Sequence, residues 1–397
     1  MTNQNLNNSD LPLRRFFKSH YITPLMLRLL DDFDQILPFL DQEHLLLNVG
    51  AYVEGTFDAE VWVNDTETSA YVFDKNHKHF LLGQVADPSF VEAVSKLLKT
   101  RYSQPSTSLN PFFSMVDPDK WTPVLKILGL FGEDAPVRKN RLLYKANSPP
   151  DTKWRELVPK EYHVIPLTPE LLGENLDNMD GLVEELESMW GDLKRFFDIG
   201  FGSCALSEGE LAGWCLGEYF SGTICGVGIE TYPNHQRKGL ATSMTYVLLE
   251  EAARRGLTVY WDCYESNVAS SKSALKAGFQ LSSTYETFDG SFDPFLNLTV
   301  KGDHYNQIGN FSEAIAYYKR AGEIRTNQAW IYWNIAVFYQ KSGESKQALE
   351  ALNEAVSRGW TELDHTQNSP HFQPFHGSEE WNTLIERIRR KSLEEKH

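Results

Sequence analysis

The sequence predicts an α/β protein that ends in an all-helical segment. Up to about residue 292, short runs rich in β-branched and aromatic residues alternate with segments whose apolar residues recur at helical spacing. Beyond that point, helical segments repeat at an interval of 34 residues. A chain of 397 residues is long enough for two or three domains. We therefore expect three, formed by residues 1–150, 151–292 and 293–397.

The composition excludes several classes of function. Lys and Arg number 38 and Asp and Glu number 54, which gives a formal net charge of −16. Binding to nucleic acid or to an anionic membrane depends on clustered cations, so neither partner is expected. The four cysteines lack the close spacing of a zinc site, the chain begins with a polar stretch, and no apolar run approaches the ~18 residues of a membrane span. We expect a cytoplasmic protein.

The first 150 residues are expected to form a small α/β domain without chemistry of its own. Four segments are typical of strands, namely LLLNVGAYVEG, AEVWVND, SAYVFDK and HFLLGQ. Pro88 and Ser89 begin a segment with helical spacing of its apolar residues. His77 and His79 are predicted to lie in a solvated turn, and no metal site is expected in the chain. The paired prolines near residue 150 indicate a linker.

The second segment shows the element order β-α-α-β-β-β-α-β-α-β. It begins with a strand over residues 162–167, which two helical stretches follow. Three strands come next, near residues 202–206, 211–219 and 225–232. A helix with an apolar period of 3.6 residues then begins at about Gly239 and ends at Gly256, a residue type that favours helix C-termini. A strand, a short helix and a last strand complete the unit.

The loop before this long helix predicts a phosphate site. It forms a Q-x-x-G-x-A pattern, with the sequence Gln236-Arg237-Lys238-Gly239-Leu240-Ala241-Thr242. Backbone N–H groups at a helix N-terminus, next to a turn of small residues, form a nest for a pyrophosphate. Gly239 removes the Cβ that would block close approach. Arg237 and Lys238 place positive charge at this turn of an otherwise acidic chain.

With this loop, the segment resembles the acetyl-CoA-binding core of the GNAT superfamily of N-acetyltransferases. A second motif of that family, N-x-x-S-(x)5-K-x-G-F, is matched by Asn267, Ser270, Lys276, Gly278 and Phe279. The element order is also that of the GNAT fold, a mixed central sheet with helices on both faces. Several short stretches look like the zwittermicin-resistance-like branch of the family: FGSCAL, AGWCLGEY, GIET and KGLAT. The resemblance covers about residues 40–290.

The resemblance implies direct transfer of acetyl from acetyl-CoA, as co-substrate, to an amine of a small molecule or peptide. Acetyl-CoA would insert where the strands around Ile229 and Tyr260 splay apart, and backbone N–H groups near Glu230 and Thr231 would polarise the thioester carbonyl. The implied cofactor-binding residues are Ile229, Thr231, Gln236, Arg237, Lys238, Gly239, Leu240, Ala241, Thr242, Asn267 and Ser270.

The transfer also requires a base that takes a proton from the amine. The resemblance offers two carboxylates, Asp262 and Glu230, with Asp262 preferred, and an inward carboxylate in a partly apolar site is expected to have a raised pKa. Many family members carry a tyrosine that protonates the leaving thiolate, but here its position is Ala274. Tyr264, Tyr285 or water would take that role.

The acceptor and the overall role stay open at this point. The helices between residues 169 and 197 form the acceptor side in the GNAT fold, and acidic residues there or just beyond, such as Asp192 and Asp198, would suit a cationic amine. Because Ala274 departs from the family pattern, a second hypothesis is that the protein is a CoA-binding pseudoenzyme or adaptor that acts through its helical repeats.

The C-terminal segment has the tetratricopeptide (TPR) pattern. Four positions recur after 34 residues: Tyr305, Gly309, Ala314 and Ala321 become Tyr339, Gly343, Ala348 and Ala355. The small residues let the two helices of each unit approach closely. The apolar residues Trp381, Leu384, Ile385 and Ile388 predict an amphipathic terminal helix that caps the repeats. We expect this segment to pack on its neighbour and to offer the surface for a protein partner.

Overall fold

The first half of the chain forms strands and helices in alternation. The computed structural model describes residues 27–74, 77–103, 110–150 and 153–394, so the polar start and the centre of the expected linker lie outside the described residues. The strands are β1 (Arg28–Leu29), β2 (Ala59–Val63), β3 (Ser69–Asp74), β4 (Lys78–Gly83), β5 (Phe112–Val116) and β6 (Val137–Ala146). The α-helices are α1 (Glu43–Val53), α2 (Pro88–Tyr102) and α3 (Pro118–Leu128), and a 3-10 helix spans Phe33–Phe39.

The second half has the predicted order of elements. Its strands are β7 (His163–Pro166), β8 (Gly202–Ser207), β9 (Glu210–Ser221), β10 (Ile224–Thr231), β11 (Thr258–Tyr264) and β12 (Gln280–Ser291). Its helices are α4 (Met179–Trp190), α5 (Leu193–Ile199), α6 (Leu240–Arg254) and α7 (Val268–Lys276). The residue after α6 and its cap, Gly256, has a φ of +72°, as a helix C-terminus requires. The expected order β-α-α-β-β-β-α-β-α-β is present, but the first predicted helical stretch, residues 169–175, contains only a 3-10 helix (Glu170–Gly173), and the second divides into α4 and α5.

Both halves belong to one sheet with an internal symmetry of topology. The described strands join in the order β1-β2-β3-β4-β5-β12-β6-β11-β10-β9-β8-β7. When the strands are counted from the two edges of the sheet towards its centre, β1 to β5 occupy the same positions on one side as β7 to β11 on the other. The halves exchange their last strands at the centre, where β6 pairs with β11 and β12 pairs with β5. The expected boundary at residue 150 therefore falls between two strands of one continuous sheet.

One predicted strand in the first half is a helix. The segment LLLNVGAYVEG was expected to be extended, but residues 43–53 form α1. Most of this helix is buried, including Leu45, Leu47, Val49 and Tyr52. A helix buried on several sides lacks the alternation of polar and apolar faces that distinguishes it from a buried strand. The other three predicted strands and the helix after Asp87 are confirmed.

His79 does not lie in a solvated turn as predicted. It is a β4 residue with no exposed surface, and its Nδ1 lies 2.9 Å from the Tyr71 hydroxyl. Burial lowers the pKa of His79 to about 3, so the imidazole is neutral. His79 therefore belongs to an aromatic core that also contains Phe113 and Trp121.

The C-terminal segment is all-helical. It comprises α8 (Pro294–Gln307), α9 (Phe311–Ile324), α10 (Ala329–Lys341), α11 (Ser345–Ser357), α12 (Leu363–Asn368) and α13 (Glu379–Glu394). The predicted small residues Ala314, Ala321, Ala348 and Ala355 are all fully buried, and so, nearly, are the four apolar residues of α13. The first of these helices packs on the sheet as expected, because α8 contacts β12 and β6 and its Asn297 side chain accepts the Ser291 N–H of β12 at 3.1 Å. No helix within the described ranges is long and apolar enough to cross a membrane.

Candidate active site

Two neighbouring strands of the second half separate part-way along their length. The parallel pairing of β10 and β11 runs from Ile224–Thr258 to Gly226–Tyr260. Beyond that point β10 continues to Thr231 along β9, while β11 continues along β6. A gap thus opens between the two strands, with Ile229 on one side of it. The predicted splaying of these strands is present.

The loop after β10 leads directly from this gap into α6. Two residues of the loop have left-handed backbone conformations, Arg237 with φ +63° and Gly239 with φ +82°. The Ser243 N–H donates to the Gly239 carbonyl at 3.1 Å. The N–H groups of Leu240 and Ala241 lie ahead of this first helical bond, where an α-helix supplies no carbonyl for them. No described atom lies within 4 Å of a Cβ built on Gly239, so the space above the turn is open.

Two side chains of the loop hold it in place. The Gln236 amide donates to the Thr231 carbonyl at 3.0 Å, which ties the loop back to β10. The Lys238 ammonium donates to the Tyr162 hydroxyl at 2.5 Å, and that hydroxyl lies 2.9 Å from His235 Nδ1. Both predicted cofactor residues therefore brace the turn in this structure.

The other predicted cofactor residues divide into exposed and structural positions. Arg237 is exposed at the tip of the turn, whereas Thr242 is buried at the start of α6. Leu240 is buried too, so only its backbone can face a ligand. Asn267 caps α7 by accepting the Ser270 N–H at 3.1 Å. The Ser270 hydroxyl accepts the Trp261 indole N–H at 2.9 Å.

The preferred base, Asp262, is held in a buried ion pair. One carboxylate oxygen accepts Arg141 Nε at 3.0 Å, and the other accepts the Tyr285 hydroxyl at 2.6 Å. Burial alone would raise the pKa of Asp262, but the cations Arg141 and Lys78 outweigh it and hold the pKa below its ordinary value. The expectation of a raised pKa at Asp262 is wrong.

The two predicted proton donors, Tyr264 and Tyr285, both lie near the Arg141 guanidinium. The Arg141 guanidinium stacks 4.3 Å from the centroid of the Tyr264 ring, and Tyr285 also stacks on His44, with ring centroids 4.2 Å apart. Burial raises the pKa of both tyrosines. Ala274 is fully buried, so the usual family position holds a packing residue.

The remaining carboxylates differ in their surroundings. Glu230 is exposed on the splayed part of β10. Asp192 caps α5 by accepting the Arg195 N–H at 2.7 Å, and Asp198 forms an exposed ion pair with Lys194. Asp192 and Asp198 thus have partners within or at the start of α5, and their role towards a cationic acceptor stays a prediction.

Comparison with known families agrees with this geometry. A family model described as GNAT acetyltransferase matches residues 42–288, which is more than half of the chain. The chain belongs to this family. Two TPR models match residues 302–343 and 331–358, and they confirm the predicted repeats. The resemblance to the zwittermicin-resistance-like branch stays a prediction.

Solved structures with a similar fold share little sequence with this GNAT chain. A GCN5-related N-acetyltransferase-like protein from Streptococcus suis has 17% identity and a TM-score of 0.47, over 65% of this chain and 98% of its own. A Drosophila protein has 15% identity and a TM-score of 0.45, over 67% and 98%. A tandem GNAT protein from the clavulanic acid biosynthesis pathway has 12% identity and a TM-score of 0.42, over 68% and 99%. No curated protein matches the chain.

One carboxylate at the gap between β10 and β11 was not predicted from the sequence. Glu218 of β9 pairs with Gly226, the last residue of β10 before the strands separate. Its carboxylate lies over the next inward-facing residue, Gly228, where a Cβ would overlap it. Burial and the charge of Glu185 raise the pKa of Glu218 to about 8, against the opposing effect of Lys78. The glycines opposite Glu218 were the available signal, because a glycine within a strand indicates close approach of another group.

A bulge next to Glu218 was also missed. The register of β9 shifts against β10 between Ile224 and Gly226, and Tyr219 has a φ of +49°. Bulges redirect side chains and occur next to active sites. Here the Tyr219 ring stacks on Phe57, with centroids 4.7 Å apart, and carries the Lys78 ammonium 4.3 Å from its own centroid.

Proposed function

We propose that this GNAT chain transfers an acetyl group from acetyl-CoA directly to a primary amine of a small molecule or peptide. The observation that carries the proposal is the gap between β10 and β11, which leads into the open N-terminus of α6. The extended pantetheine arm would pair with the free strand edge, as an added strand does. The pyrophosphate would lie at the helix N-terminus, where N–H groups point outward.

The residues of this chain fit the cofactor in a definite way. Gly239 and the N–H groups of Leu240 and Ala241 would bind the phosphates, and the exposed Arg237 would add charge. The backbone near Ile229 would meet the pantetheine arm. Gln236 and Lys238 would act by holding the loop in place. Asn267 and Ser270 would act by ordering the start of α7.

We assign the role of general base to Glu218. A base works best when its pKa lies near the working pH, and the pKa of Glu218 is about 8. Asp262 is less suited, because both of its oxygens are bonded and one of them is paired with Arg141. Glu230 is exposed to water and is the second choice. In this proposal Asp262 orients Arg141 and Tyr285 rather than taking a proton.

Water is the favoured proton donor for the leaving thiolate. The hydroxyl of Tyr285 already donates to Asp262, and that of Tyr264 interacts with Asp289. Burial raises the pKa of both tyrosines, so neither is a stronger acid than usual. The thiol of CoA is acidic enough to leave without a dedicated donor, which explains how Ala274 can stand at the family's tyrosine position.

Thiol release tests the proposal. The purified chain is mixed with acetyl-CoA and a panel of polyamines, amino sugars, amino acids and peptides with free N-termini, and free CoA thiol is measured. Amine-dependent release is the expected result. Binding of acetyl-CoA without release from any amine would instead support the adaptor role, and absence of binding would contradict both.

A further inference from the structure

The first half of the sheet has the topology of the catalytic half but lacks its phosphate loop. Its equivalent helix, α2, begins at Pro88, which has no N–H to offer. The carboxylate of Asp87 accepts the Ser89 N–H at 3.0 Å and so occupies this helix N-terminus with a negative charge. An anionic cofactor would be repelled there. The first half must therefore contribute something other than a second cofactor site.

Several side chains of the first half reach the gap of the second half. Arg141 of β6 binds Asp262 of β11. Lys78 of β4 lies over the ring of Tyr219, the bulge residue of β9. Asn48 of α1 accepts the Lys78 ammonium at 2.7 Å. Part of the surroundings of the gap is thus built from the first half of the sheet, the half that has no phosphate loop.

Two neutral groups of the described residues hold the Lys78 ammonium. Its ammonium touches the Asn48 amide oxygen and the Tyr219 ring, and its side chain remains partly exposed. Burial and the charge of Arg141 lower the pKa of Lys78, while the carboxylates of Asp262, Asp74 and Glu218 oppose that shift. Asp262 is already paired with Arg141 at 3.0 Å. A neutral amide and an aromatic face hold an ammonium in place without cancelling its charge.

We propose that Lys78 binds an anionic group of the acceptor, so that the acceptor is an amine that also carries a carboxylate or a phosphate. This inference rests on the proposed function. The acceptor's amine meets Glu218 beside the gap, and its anion meets the Lys78 ammonium, which lies over the Tyr219 ring. The two ends of the substrate then face groups of opposite charge, which fixes its orientation before transfer.

Matched acceptors test this inference. Thiol release from acetyl-CoA is measured with ω-amino acids of stepwise longer chain, each compared with the n-alkylamine of the same length, and with O-phosphoethanolamine compared with ethanolamine. The wild-type chain is expected to prefer the anionic member of at least one pair, and the pair shows whether carboxylate or phosphate is bound. Lys78→Met is expected to raise the KM of that acceptor by roughly 10- to 100-fold, the value of a charged hydrogen bond. The KM of its neutral counterpart should not change.

Controls separate binding from structure. Lys78→Arg keeps the charge and should retain most of the preference, whereas Lys346→Met removes an exposed lysine of the repeats and should change nothing. If the wild-type chain acetylates only the neutral amines, or if Lys78→Met affects both members of a pair equally, the inference is wrong while the proposed function stands. Failure of the wild-type chain to bind acetyl-CoA or to release thiol with any amine would overturn the proposed function itself.

Discussion

The two halves of the sheet share one topology but differ at the helix that follows their fourth strand. In the second half, the chain enters α6 through Gly239 in a left-handed conformation, and the space above the turn is open. In the first half, the chain enters α2 through Asp87 and Pro88, and the Asp87 carboxylate occupies the helix N-terminus. The fold thus provides a gap between strands, whereas a few loop residues decide whether a cofactor can enter it.

The interior of the two gaps differs in the same sense. β4 carries the buried apolar residues Phe80, Leu81 and Leu82 beyond its pairing with β5. The corresponding part of β10 has Gly228 and the exposed Glu230, with Glu218 lying over the glycine. Core side chains thus occupy the gap of the first half, whereas the gap of the second half contains space and titratable groups.

The largest expected effect is loss of cofactor binding in Gly239→Asp. An aspartate there would adopt an unfavourable φ and place a carboxylate where the phosphates bind, as Asp87 does in the first half. The Kd for acetyl-CoA, measured by isothermal titration, should rise by about 100-fold or more. Gly309→Asp is the matched control, because Gly309 also has a positive φ (+78°) and open space but lies in a TPR turn. Equal binding by the two variants would contradict the assigned loop.

The second effect concerns Glu218→Gln. Removal of a general base is expected to lower kcat by about 10²- to 10⁴-fold, with little change in the KM of acetyl-CoA. Because a base must be deprotonated, the wild-type rate should increase with pH up to about 8, the pKa of Glu218, and then level off. This rise should be absent in Glu218→Gln and present in Glu230→Gln. A rise that survives in the first variant and disappears in the second would assign the base to Glu230.

The same carboxyl group makes stability depend on pH. The pKa of Glu218 is raised in the folded chain above its ordinary value of 4.5, so the folded chain loses stability as the pH rises from that value to about 8. The amide introduced by Glu218→Gln would stay neutral throughout. This variant should therefore gain stability relative to wild type across this window, as measured by chemical denaturation.

The third effect is on the ion pair that joins the two halves. Asp262→Asn leaves the buried Arg141 of the first half without its carboxylate, which should lower the free energy of unfolding by about 3–5 kcal/mol in a urea titration. Asp198→Asn breaks an exposed pair with Lys194 and should cost less than about 1 kcal/mol. Similar losses in both variants would mean that the tie between the halves contributes no more than a surface pair.

The smallest expected effect is that of Asp87→Ala. Loss of this helix cap should lower the free energy of unfolding by about 1 kcal/mol, and the affinity for acetyl-CoA should be unchanged because α2 takes no part in binding. Thermal denaturation and isothermal titration measure the two quantities. Weaker acetyl-CoA binding in this variant would show that the first half contacts the cofactor.

The sequence predicted those parts of the site that are local in the chain. The loop at Gly239 and the order of strands and helices in the second half each depend on residues close together in sequence. The repeats were equally clear, because Ala314 and Ala348 recur in a fixed register. Local signals of this kind survive without knowledge of the tertiary fold.

The rest depends on contacts between distant parts of the chain. Glu218 becomes a half-buried carboxylate with a raised pKa only because β9 places it over Gly228. The pKa of Asp262 is lowered by Arg141, which reaches β11 because β6 lies between the two last strands of the second half. The burial of α1 removed the amphipathic pattern by which a helix is distinguished from a strand. No local pattern of residues reports such pairings.

The number of acetyl-CoA molecules bound per chain shows whether one half of the sheet or both halves bind the cofactor. The cofactor is expected to bind the second half alone, through Gly239 and the N-terminus of α6, because Asp87 occupies the N-terminus of α2 in the first half. Isothermal titration of the full chain with acetyl-CoA is expected to give one site, which Gly239→Asp removes. Two sites, or one site that persists in Gly239→Asp, would contradict the account.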